Sequence, residues 1–98
     1  MIMLTSFDQQ ALAQLPDWII ANGKLHREFV LGDFIQAFDF MSQAAMVAEK
    51  MNHHPEWSNI YKTVVVDLIT HSEGGITQLD IELATKMDDI FYQMNNKG

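Results

Sequence analysis

The sequence predicts an α+β fold, a four-stranded antiparallel sheet with three helices packed on one face. Three observations carry that expectation. Asn22-Gly23 separates two apolar runs, an apolar stripe at helical spacing follows Asp33, and a valine-rich run near residues 63–70 comes after a proline stop. The predicted order is helix, two strands, helix, two strands, helix.

Each element has its own local reason. Ser6 and Gln9 have capping-box spacing and open a short helix carrying Leu12 and Leu15, stopped near Pro16. Residues 18–21 and 25–31 flank Asn22-Gly23, a hairpin signal because both positions tolerate positive φ. Leu25, Phe29 and Leu31 share one face of the second strand, with Arg27 breaking the row. Asp33 caps the middle helix with Gln36 three residues on, and Phe34, Phe38, Met41, Ala45 and Ala48 form its predicted stripe. That helix ends near Asn52, because Pro55 cannot continue it and pushes His54 out of the helical region. Strands follow at about 56–60 and 63–70. Val64, Val66 and Leu68 share one face of the last strand; Val65, Asp67 and Ile69 share the other, apolar enough to suit a subunit contact. Gly74-Gly75 turns the chain into a last helix capped by Thr77, with Leu83, Met87, Ile90 or Phe91, and Met94 inward and an Ile76–Ile81 staple.

Composition narrows the function. The 98 residues, without repeat, low-complexity segment or linker, read as one domain spanning 1–98. Six basic against thirteen acidic residues give a net charge of −7, which disfavours a nucleic-acid surface. The absence of cysteine excludes disulfides, Fe–S clusters and thiol catalysis. No apolar run approaches the ~20 residues of a membrane span, and no basic, apolar signal segment opens the chain. The expected location is a reducing cytoplasm. No phosphate loop is present, so no nucleotide cofactor is expected and Gly74-Gly75 reads as a turn.

Chemistry concentrates in two segments. Glu49-Lys50-Met51-Asn52-His53-His54-Pro55-Glu56-Trp57 and Thr70-His71-Ser72-Glu73-Gly74-Gly75-Ile76-Thr77-Gln78-Leu79-Asp80 hold three of the four histidines. Imidazole gives and takes protons near neutral pH, so the concentration points to acid–base work. His53 and His54 fall in a turn, where two adjacent rings can approach one pocket.

The pattern resembles the pterin-4a-carbinolamine dehydratases. It reads Glu49, His53-His54-Pro55, Tyr61, His71 and Asp80, with nine residues between Tyr61 and His71 and eight between His71 and Asp80. Ala48-Glu49-Lys50, Pro55-Glu56-Trp57, Thr70-His71 and Gly74-Gly75-Ile76-Thr77 look like the family too, and the resemblance runs from about Trp18 to Phe91. Asn52 stands where many relatives carry Asp, and Ser58 where a bulky apolar residue is common.

That resemblance implies a hydro-lyase dehydrating 4a-hydroxytetrahydrobiopterin to quinonoid dihydrobiopterin, recycling the cofactor of aromatic amino acid hydroxylases. It implies His53 and His71 as the acid–base groups. His54 joins them by binding and orienting the pterin. Glu49 and Asp80 would hold imidazoles in their tautomers, Pro55 and Trp57 would shape the pocket wall, and Asn52 and Thr70 complete the substrate-binding set. The family needs no metal or other cofactor, and its members are dimers or tetramers.

Other readings stand beside these. His26 reads as a surface or hydrogen-bonded structural histidine. Asp80 divides evenly between cap and site, since Thr77-x-x-Asp80 is a sound capping arrangement. Glu49 would ordinarily be a solvated charge, Trp57 and Tyr61 core or interface aromatics, and Pro55 a helix stop. A metal site using His53, His54, His71 and a carboxylate lacks a recognised spacing. Animal relatives also act as dimerisation cofactors of a homeodomain transcription factor, which makes an interaction module the second class. A pterin role in molybdopterin metabolism is the third.

Overall fold

The computed structural model describes residues 10–95, and the Ser6–Gln9 capping pair lies outside them. Residues 10–12 are helical (α1). Then come β1 (Ile19–Ala21), β2 (Lys24–Val30), α2 (Phe34–Met51), β3 (Glu56–Ile60), β4 (Thr63–Leu68), a 3-10 turn (His71–Glu73) and α3 (Gln78–Asn95). The strands form one antiparallel sheet in the order β1-β2-β4-β3. The expected α+β architecture is the one observed.

Local chemistry explains the connections. Asn22 and Gly23 both adopt positive φ, 55° and 75°, the backbone a two-residue hairpin requires. Asp33 accepts the Gln36 backbone N–H at 2.8 Å, while the Gln36 side chain takes the Gly32 N–H. At its other end α2 closes in a Schellman motif. Asn52 is left-handed (φ 53°), its N–H donates to Glu49 O, and the His53 N–H donates to Ala48 O.

The core lies between the sheet's inner face and the helices. Leu25, Phe29 and Leu31 of the β2 segment and Val64, Val66 and Leu68 of β4 are buried. Phe29 packs against Phe40 (4.5 Å between ring centroids), Phe91 (5.2 Å) and Trp18 (5.8 Å). Arg27 interrupts this row and is itself buried. Its guanidinium lies 4.3 Å from the Phe29 ring centre and donates to Asp88 at 2.7 Å, and Asp88 also accepts the Trp18 indole N–H. Burial pushes the Asp88 carboxyl above its ordinary range against the pull of Trp18 and Arg27.

Two expectations about faces need correcting. The buried stripe of α2 is Ala37, Phe40, Ala44 and Ala48, with Met41 and Val47 partly buried; Phe34, Phe38 and Ala45 point outward. The helix has apolar residues on two sides, and the one with small residues faces the core, which lets α2 approach closely. Ile69 lies beyond the end of β4 at Leu68, and it lines a cavity instead of extending the outer row.

Candidate active site

β3 and β4 are antiparallel neighbours, so the start of one lies beside the end of the other. This brings together the two histidine segments. The Schellman turn after α2 delivers His53 and His54 into the short connection that leads through Pro55 to β3. Beyond β4, Thr70 bridges Gly75 and closes a short loop over the 3-10 turn that carries His71, with Gly74 left-handed at φ 70°. Asn52, His53, His54, Ile69, Thr70, His71, Ser72 and Leu79 line one cavity of about 320 Å³. Larger hollows of about 530 and 440 Å³ are lined only by residues on the outer side of α2 and gather no histidines.

All four histidines are paired with carboxylates. His53 Nε2 lies 2.6 Å from Asp80 Oδ1, His54 Nε2 2.8 Å from Glu49 Oε1, and His71 Nε2 2.8 Å from Glu56 Oε2. His26, away from the cavity, pairs through Nδ1 with Asp67 at 2.8 Å. An ionised carboxylate can only accept, so at the cavity each Nε2 is the donor and Nδ1 remains the exchangeable nitrogen.

The three pairs differ in depth. His53 is buried and Asp80 wholly so, whereas the His54 and His71 side chains are 57% and 74% exposed. Asp80 accepts the Thr77 backbone N–H and the Thr70 hydroxyl on Oδ2, leaving Oδ1 for His53. One carboxylate therefore caps α3 and holds a histidine.

The remaining residues sort by position. Asn52 and Thr70 line the cavity, and Glu49 and Asp80 stand one bond behind it. Pro55 joins His54 to β3. Trp57 is in register with buried Val66 and packs against the core. Tyr61 sits in the β3–β4 turn with φ 52°, at the far end of β3 from the histidines. From sequence alone, no site role falls to Ile69, Ser72 and Leu79, which line the cavity, or to Glu56, which pairs with His71. Among the described residues, no three His, Asp or Glu side chains are grouped as a metal would require.

Comparisons with known proteins agree on one family. Residues 4–90 match the family model described as pterin 4 alpha carbinolamine dehydratase. A candidate pterin-4-alpha-carbinolamine dehydratase of Solibacter usitatus is 55% identical over 80 residues, covering 82% of this chain and 84% of that protein. Its counterpart in Bradyrhizobium diazoefficiens is 53% identical over 90 residues, 90% of each chain. Among solved structures, the transcriptional coactivator/pterin dehydratase of Brucella melitensis superposes with a TM-score of 0.84 at 47% identity, covering 92% of this chain and 99% of that one.

Proposed function

The chain belongs to the pterin-4a-carbinolamine dehydratase family, and we propose that the histidines around the cavity between α2, β4 and α3 carry its chemistry. The activity is dehydration of 4a-hydroxytetrahydrobiopterin to quinonoid dihydrobiopterin, a lyase step in tetrahydrobiopterin recycling.

Hydroxide leaves C4a as N5 gives up its proton, so one group must protonate the departing oxygen and another accept the N5 proton. His53 and His71 take these parts, each through the Nδ1 left free by a carboxylate-bound Nε2. His54, held by Glu49, binds and orients the pterin from the rim. Asn52 and Thr70 meet the substrate directly, Asp80 keeps His53 in its tautomer, and Pro55 and Trp57 support the wall from behind.

The observation that carries this reading is three imidazoles, each fixed by its own carboxylate, around one 320 Å³ cavity. The test follows dehydration of 4a-hydroxytetrahydropterin by absorbance. His53→Ala and His71→Ala are each expected to lose roughly 10²-fold or more in rate. A wild-type protein that leaves the spontaneous rate unchanged would refute the proposal. The same reading takes residues 1–98 as one domain working in a reducing cytoplasm as a homodimer or homotetramer. Among the described residues no helix is long and apolar enough to cross a membrane.

A further inference from the structure

Glu56 opens β3 and uses both carboxylate oxygens. Oε2 faces His71 Nε2 at 2.8 Å, and Oε1 accepts from Lys24 Nζ at 2.6 Å. Lys24 comes from β2, two strands away, and Asp67 also acts on its charge. Lys24 first and His71 second hold the Glu56 carboxyl below its ordinary range, so it is ionised across neutral pH.

This arrangement does little for folding. Lys24 and Glu56 are half-buried at the sheet surface and His71 is exposed, and ion pairs this open to solvent contribute little to stability. Glu56 is also the register partner of Asp67, a second acid directly opposite, and like charges in that relation are unfavourable. A positional role accounts for an acid there better than a stabilising one.

We infer that Glu56 and Lys24 are positioning residues for His71, a Lys–Glu–His chain that fixes the proton on Nε2 and frees Nδ1 for the dehydration. Lys24 is needed because it engages Oε1 and orients the Glu56 head. The inference deepens the reading of His71 as an acid–base group and rests on it.

An amide at position 56 makes the test sharp. In Glu56→Gln, Lys24 requires the amide oxygen, which turns the amide NH2 toward His71 Nε2. A donor there forces Nε2 to accept, and the ring proton moves to Nδ1. Removing the lysine in a Lys24→Met/Glu56→Gln double variant lets the amide turn back.

The measurements are ¹⁵N NMR of the His71 ring nitrogens and steady-state dehydration kinetics. Wild type is expected to show the Nε2–H tautomer. Glu56→Gln is expected to show Nδ1–H with kcat down roughly tenfold and KM little changed, a smaller loss than removing the imidazole. The double variant is expected to regain much of both the Nε2–H signal and kcat. An unchanged His71 tautomer in Glu56→Gln would overturn the inference whatever the rate does. A wild-type protein that fails to accelerate dehydration would refute the dehydratase site instead, and the tautomer spectrum would still decide the Lys24–Glu56 role.

Discussion

A carboxylate offers about four acceptor positions, and Asp80 fills three with donors from separate segments: His53, Thr70 and Thr77. Because the residue is fully buried, replacing one oxygen with an amide sets a donor against one of those donors. Asp80→Asn is therefore expected to cost roughly 1–3 kcal/mol in urea unfolding and to lower turnover through His53. A variant as stable and active as wild type would show that the network is dispensable. Asp88 gives a prediction of opposite character. Burial raises its folded pKa above the ordinary 3.8, so its charged form opposes folding, and protonation relieves that as pH falls through the folded value. Unfolding free energies of wild type and Asp88→Asn should diverge in favour of wild type as pH drops from neutral. The difference should level off below 3.8, where the unfolded chain is protonated too. A difference that is flat with pH would contradict the raised pKa.

At the scale of elements, what was legible in the sequence is what is decided locally. The Asn22-Gly23 hairpin, the Asp33 cap and the stop before Pro55 each depend on a few adjacent residues, and each appears as read. The inward side of α2 was not legible, because Phe34, Phe38 and Ala45 are as apolar as Ala37, Phe40 and Ala44. Only packing against the sheet and α3 chooses between them. The histidine segments could be found by residue type and spacing, but the Lys24–Glu56–His71 chain joins residues 32 and 15 positions apart through strand register. Asn52 shows how element and site meet. It supplies the left-handed residue that ends α2, and the two catalytic candidates follow it directly. Asn52→Gly should keep the turn and fold as well as wild type, so any rise in KM isolates the side chain's contact with substrate. Asn52→Ala should lose about 1 kcal/mol, because alanine lacks the short polar side chain that lets asparagine tolerate this left-handed conformation. Equal stability of the two variants would remove the backbone explanation.

For the whole molecule, the outward side of α2 sets the question of assembly. Phe34, Ile35, Phe38 and Met46 are exposed there by 47%, 73%, 59% and 74%, on a protein whose net charge is −7. Charge repulsion opposes self-association through acidic surfaces, so an apolar helix face is the favourable place for one copy to meet another. A two-fold contact uses the same patch twice. Fully burying a large apolar side chain contributes about 1.5–3 kcal/mol, so eight partly exposed ones across such a contact supply a gain of the same order as the roughly 4–15 kcal/mol lost in rigid-body freedom. The proposed homo-oligomer is thus expected to depend on this face. Ile35 and Phe38 lie near the start of α2, whereas the histidines follow its end, roughly 20 Å away at the helical rise of ~1.5 Å per residue. An Ile35→Glu/Phe38→Glu variant should therefore sediment as a smaller species than wild type while its dehydration rate per chain stays within about twofold, since the charges sit outside the proton-transfer geometry. Wild-type protein that sediments as a monomer, or a variant that assembles unchanged, would show that α2 is not the contact. Loss of activity along with mass would show instead that the cavity depends on a neighbouring subunit for its shape.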